Sequence, residues 1–355
     1  MAAVIITGSG GLAGSEAVRK FHKEGFDVYG IDNDSRASYF GQSASTSATS
    51  QELERTLPKF TALSIDIRDD ASLEQLFMRL GSNLSAVIHC AAQPSHDWAA
   101  SNPRVDFEVN AVSTLSLLEF TRKCSPQAVF IYMSTNKVYG DLPNAIAYEE
   151  LPTRFEVTRD SGFYEFGINE RLSIDQSTHS LFGVSKASGD LLVQEYGRYF
   201  GMNTVAFRAG CLTGPSHKGT VLHGFLSYLV ACGVRKNPYE IYGYGGKQVR
   251  DNLHSEELAA AFWEFFLAPQ QGEVYNIGGS RYSNISILEA ITKIEEILRN
   301  RMEVTFSEVI RTGDHRWYVS DVRKFSEDYP RWKISRGVDE ILLELVDSEK
   351  LAASQ

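Results

Sequence analysis

Three glycines and an aspartate carry the first chemistry in this sequence. Gly8, Gly11 and Gly14 stand three apart directly after the apolar run Val4-Ile5-Ile6, and Asp32 closes the next apolar run. In a dinucleotide-binding turn the first glycine permits the tight bend, the second lets backbone approach a pyrophosphate, and the third lets a helix pack closely on a sheet. Leu12 opens that helix, whose unpaired N–H groups and positive dipole end would face phosphate. Asp32 lies about 20 residues beyond the glycines, where a carboxylate accepts from an adenosine ribose 2′-OH. It would repel the extra phosphate of NADP, so the expected cofactor is NAD. Asp66 and the Ile67 backbone, at the turn after a third strand, are placed to meet an adenine. The small pair Ala91 and Ala92 suits a fourth strand end that touches cofactor.

These groups need elements to hold them. Val4, Ile5 and Ile6 read as a strand, and Ala17, Val18 and Phe21 line one side of the helix that follows. Further strands are expected at 27–31, 61–65, 86–92, 129–133 and 204–208, and helices at 72–80, 107–123, 181–200 and 256–267. Segment 33–59 reads as a polar insertion, with Ser43 to Ser50 a flexible surface loop, and 141–176 as a loop rich in aromatic and acidic residues. Near-continuous apolar strands alternating with amphipathic helices make this an α/β chain whose parallel sheet is covered on both faces. Ligands of such sheets lie beyond the carboxyl ends of the strands, where Thr7, Asp32, Asp66, Ala91 and Ser134 fall. Residues 1–210 are expected to form the cofactor domain, with 248–268 returning to it, while 211–247 and 269–345 make a smaller C-terminal substrate-binding subdomain.

The chain has 355 residues, enough for a large core, and its 35 basic against 45 acidic residues leave a net charge of −10. That balance argues against nucleic acid or an anionic membrane as partner. Cys90, Cys124, Cys211 and Cys232 are scattered and form no metal-ligand spacing, so no metal is expected. With no signal peptide, the thiols read as reduced and the location as cytoplasmic. No apolar run approaches the length of a membrane span.

The chain resembles the extended short-chain dehydrogenase/reductases that act on nucleotide sugars. The resemblance rests on Thr7-Gly-x-x-Gly11-x-x-Gly14, His89-x-Ala-Ala92, Asn110, Ser134-Thr135, Lys186 and Arg208. Near the C-terminus it adds Gln248-Val-Arg-Asp251, Tyr275-Asn-Ile-Gly-Gly279 and Arg311-x-Gly-Asp314 with Asp321. It implies a Rossmann-type doubly wound sheet, NAD contacts from Asn110 and Lys186, and a sugar oriented by Ser134 and Thr135. It further implies diphosphate or nucleotide-ribose binding by Arg250 and Arg311, and a homodimer or homotetramer. Ser134-Thr-Asn-Lys-Val-Tyr-Gly-Asp141 and Gly245-Gly-Lys-Gln-Val-Arg-Asp251 look most like CDP-paratose/CDP-tyvelose 2-epimerases. Those enzymes oxidise a hexose hydroxyl and return the hydride to the other face. Decarboxylases and dehydratases of nucleotide sugars share most of the motifs, but dehydratases usually carry Asp-Glu where this chain has Asn136-Lys137.

One position departs from the family. Its catalytic Tyr-x-x-x-Lys reads here Phe182-Gly-Val-Ser-Lys186. The two residues share a helix face, but phenylalanine has no proton to move. Either another residue is the base, or the chemistry runs slowly without one, or the chain binds its ligands silently, or the change is an engineered Tyr→Phe trap. Candidate bases are His96, which titrates near neutrality on a loop past a strand end, then His179, Thr135 and Cys211. For His96 a solvent-exposed loop residue is the competing reading.

Overall fold

The computed structural model describes residues 2–221, 224–310 and 313–354. Its elements begin β1 (Ala3–Thr7), α1 (Leu12–Lys23), β2 (Asp27–Ile31), α2 (Ser35–Phe40), α3 (Ser47–Thr56), β3 (Phe60–Leu63), α4 (Asp70–Leu80) and β4 (Leu84–His89). Next come α5 (His96–Ser101), α6 (Pro103–Phe107), α7 (Ser113–Cys124), β5 (Val129–Thr135), β6 (Tyr148–Glu150), β7 (Phe155–Val157), α8 (Ser180–Phe200) and β8 (Thr204–Ala209). The C-terminal part holds β9 (Cys211–Thr213), α9 (Phe225–Arg235), β10 (Tyr239–Tyr242), β11 (Val249–His254), α10 (Ser255–Leu267), β12 (Glu273–Ile277) and β13 (Asn284–Ser286). It closes with α11 (Ile287–Leu298), β14 (Val304–Ser307), β15 (Trp317–Tyr318), α12 (Arg323–Asp328) and α13 (Val338–Ala353).

Seven parallel strands in the order β3-β2-β1-β4-β5-β8-β12 form the main sheet. Its strands carry apolar side chains on both faces because helices cover both. Val4 and Ile6 face the layer of Phe21, Phe262 and Phe265, while Ile5 and Val87 face that of Leu73, Phe77 and Leu118. The connection reverses direction between β1 and β4, which opens a crevice at the carboxyl ends of those strands. The Rossmann-type doubly wound sheet read from the sequence is therefore present. Helix α10 packs on α1 through Trp263 and Phe266 against Phe21.

Three expectations need correction. The segment read as a flexible loop at 43–50 enters helix α3; Ala44 and Leu53 are buried, and Thr46 bonds Asp32. The returning segment extends past 268, because β12 is the edge strand of the main sheet, paired with β8. Strand β11, by contrast, lies outside that sheet and pairs with β9, β13 and β15. A separate apolar cluster of α9, α11 and α13, including Leu229, Ile294 and Leu342, gives the C-terminal part its own core. The helix expected at 107–123 is broken into α6, a π-helical turn at Glu108–Val112, and α7. Among the described residues no helix is long and apolar enough to cross a membrane, and the four cysteines are free thiols.

Candidate active site

A single cavity of about 890 Å³ runs from the glycine turn, over the carboxyl ends of β1, β4 and β5, into the C-terminal part. Gly8, Gly11, Leu12, Gly14, Asp32, Asp66, Ile67, Ala91 and Ala92 all line it. Gly8 sits at φ +67°, and a Cβ there would lie 2.8 Å from Ala91 N; a Cβ on Gly14 would lie 2.0 Å from Gly8 O. Side chains at those positions would drive the turn, the helix and β4 apart. Thr7 locks the two strand ends: its Oγ1 accepts from Ala91 N–H at 3.1 Å and bonds His89 Nδ1 at 2.7 Å. Burial keeps His89 neutral.

The turn fits a dinucleotide. Gly11 caps α1 with no side-chain acceptor for the first N–H groups, which leaves them to a phosphate. A Cβ on Gly11 would meet only Gly8 O, at 3.3 Å, so its other side is open. Asp32 Oδ2 accepts from Gly10 N–H (2.9 Å), and Oδ1 accepts from Asp34 N–H (2.8 Å) and the Thr46 hydroxyl (2.9 Å). The carboxylate is thus fixed at the tip of β2, facing the cavity. Arg68 beside Asp66 holds that carboxyl below the usual range. Asn110, expected to contact NAD, lies behind this wall and is not among the residues that line the cavity. It is buried, bonding both backbone groups of Gln93 and the side chains of Asp106 and Ser185. Those bonds, made from the π-helical turn, fix the loop that leads to His96.

The positions expected to be catalytic meet where β5 ends against α8. Phe182 and Lys186, one turn apart on α8, both line the cavity, with Lys186 Nζ donating to Met133 O at 2.7 Å. Burial lowers the Lys186 pKa to about 7. Thr135 faces the cavity, and its Oγ1 has a long 3.4 Å contact to Asn136. Ser134 also lines it, but its hydroxyl is committed to Asp190 Oδ2 at 2.5 Å. Asp190 in turn takes a two-pronged ion pair from Arg208, at 3.0 and 2.8 Å. Ser134 therefore ties β5 to α8 and β8, a structural part beside the sugar-orienting one expected of it.

The candidate bases separate clearly. His96, at the start of α5, lines the cavity with its ring edge-to-face against Phe182, centroids 5.0 Å apart. Its Nδ1 is 2.7 Å from Ser180 Oγ, which also accepts from Gly183 N–H. Ser180 has φ +60°, a left-handed conformation that costs a non-glycine residue about 1–3 kcal/mol and is concentrated at functional sites. His179 is not in the cavity wall; its ring nitrogens contact Ser177 O and Val138 O. Cys211 lines the cavity, but burial pushes its thiol up to about 11, so it stays protonated.

Arg250 lines the far end, with Nη1 donating to Val249 O at 2.8 Å and Nη2 paired with Asp314. Burial pushes the Asp314 carboxyl up, but Arg250 and Lys137 beside it more than offset this and hold it low. Arg311 lies outside the described residues. The sequence reading gave no role to Lys137 or Asp314, both in the cavity wall. Lys137 was findable in principle, two residues past a parallel-strand end. Thr46, which holds Asp32, had no local signal.

Comparison with known proteins agrees with this architecture. The family model described as NAD dependent epimerase/dehydratase matches residues 4–278. CDP-paratose 2-epimerase of Salmonella typhi is 30% identical over 332 residues, 91% of this chain and 92% of that protein. The dTDP-glucose 4,6-dehydratase of Salmonella typhimurium is 28% identical over 93% of this chain and 88% of its own. A tyrosine-to-phenylalanine variant of UDP-glucuronic acid 4-epimerase from Bacillus cereus, solved with a fluorinated UDP-sugar and NAD, shares the fold. Its TM-score is 0.79 at 24% identity, covering 99% of each chain.

Proposed function

The chain belongs to the NAD-dependent epimerase/dehydratase family, and from that premise we propose that it is a nucleotide-sugar epimerase, most like a CDP-hexose 2-epimerase. One observation carries the reading: a continuous cavity joins the glycine turn and Asp32 to Thr135, Phe182 and Lys186, and then to Arg250. A dinucleotide and a nucleotide sugar laid end to end would put the hexose beside Thr135. Bound NAD supplies the acceptor and donor of a hydride. The chain's own residues do the rest. Asp32 holds the adenosine ribose, Lys186 the nicotinamide ribose, and Thr135 orients the hexose hydroxyl. Arg250 grips the diphosphate, since a guanidinium matches its oxygens in pairs. His96 takes the hydroxyl proton on Nε2, with Nδ1 steadied by Ser180. The expected assembly is a homodimer or homotetramer in the cytoplasm.

Phe182 supports one rival, a protein that binds NAD and a nucleotide sugar without turning them over. Mass spectrometry of small molecules released on denaturing the purified protein tests the shared premise. Stoichiometric NAD, accompanied by a nucleotide sugar or followed by uptake of one, is expected. Protein that carries no NAD and takes none up contradicts both readings.

A further inference from the structure

Beyond the groups already given a role, one cation faces the hexose end of the cavity. Strand β5 stops at Thr135, whose Oγ1 caps a single 3-10 turn, Asn136–Tyr139, by accepting from Lys137 N–H at 3.3 Å. Asn136, Val138 and Tyr139 are buried by that turn, and Lys137 is left in the cavity wall. Its Nζ donates one hydrogen to Gly313 O at 2.9 Å, and among the described residues its other two meet no acceptor. Gly313 in turn lies against His96: a Cβ on it would come 2.8 Å from His96 Cε1. Lys137 therefore stands between Thr135, which would orient the sugar, and His96, which would take its proton. The neighbouring anion, Asp314, is already paired with Arg250. A half-buried ammonium with two unmet donors in a cavity wall is placed to take acceptors from a ligand.

We propose that Lys137 is a substrate-contacting residue that binds the hexose oxygens and shares the negative charge that develops on the hydroxyl oxygen as its carbon is oxidised. The hydroxyl O–H bond would break with its proton going to His96, the pair left on oxygen would form the C=O bond as the C–H hydride leaves to bound NAD, and the Lys137 ammonium would offset the negative charge on oxygen along the way. This rests on the nucleotide-sugar reading above. Preorganised donors of this kind contribute about 10²–10³ in turnover.

The test is calorimetric titration of the NAD-loaded protein with CDP and with CDP-glucose. Wild type is expected to bind CDP-glucose about tenfold more tightly than CDP. In Lys137→Met and Lys137→Gln that preference disappears while the CDP constant stays within about twofold, and Lys137→Arg restores part of it. Burial lowers the Lys137 pKa to about 8, so the wild-type preference should fade as pH rises through 8 and be flat in the methionine variant. A preference kept in both neutral variants, or no preference in wild type, overturns the inference and leaves the nucleotide-sugar reading standing. Wild type that binds neither ligand overturns that reading and the inference with it. The two neutral variants are compared only where NAD is retained at wild-type stoichiometry, which separates loss of the contact from loss of the fold.

Discussion

Replacing His96 with alanine is expected to lower turnover of the nucleotide sugar by about 10²–10⁴, the usual worth of a general base. NAD content should be unchanged, because His96 belongs to the Ser95-capped start of α5 and not to the glycine turn. The size of the loss follows from the position of the ring. On the proposed reading Phe182 stands where the family pattern has its tyrosine, and His96 packs edge-on against it with ring centroids 5.0 Å apart. Cys211 remains protonated, and His179 is turned to backbone carbonyls outside the cavity wall. Stopped assays at fixed substrate, with bound NAD measured in the same samples, check the prediction. Wild-type turnover in His96→Ala removes His96 from the mechanism.

Asp190→Ala is expected to destabilise the protein by about 3–5 kcal/mol, because it strands the Arg208 guanidinium in the core without its counter-ion. Asp190 is 1% exposed and joins four elements, through Ser134 on β5, Gln194 on its own helix α8, Arg208 on β8, and thence Tyr139 with Asn276 on β12. A lower thermal midpoint and partial loss of NAD should follow together, since the same network anchors Ser134 at the cavity. Replacing both partners, Asp190→Leu with Arg208→Met, should recover much of the stability, as apolar pairs of similar volume commonly match buried ion pairs. Equal destabilisation in the single and double variants would show that packing, and not the unpaired charge, dominates there.

The parallel core was legible because its strands are buried on both faces and read as unbroken apolar runs, as Val4-Ile5-Ile6 and Val129-Phe130-Ile131 do. The glycine turn was legible because its spacing is dictated by backbone contact, not by side chains. What escaped depends on partners distant in sequence. Helix α3 is polar apart from Ala48 and Leu53, and the turn before it is fixed by Thr46 meeting Asp32, a contact no local periodicity encodes. The apolar run at Tyr275 gave no sign of pairing with β8, which is a matter of sheet order. Asn110 was expected on a regular helix; it lies in a π-helical turn, with its side chain bonded to Gln93. Phe182 was plain in the sequence, but its neighbour His96 lies 86 positions earlier and was only one of four candidates. Folding α5 against α8 is what brings the two rings together.

The most direct test of a transient oxidation is to run the reaction in D2O on a CDP-hexose and examine the product by NMR. An inverted carbinol carbon that keeps its original hydrogen, with no deuterium from solvent, is the predicted result. Deuterium at the inverted carbon would mean that a proton was removed from carbon, and loss of water with deuterium uptake would mark a dehydratase. The first outcome, or an unaltered substrate in the presence of stoichiometric bound NAD, would contradict the oxidation and re-reduction proposed for this site; the second would keep a transient oxidation and contradict the epimerase reading.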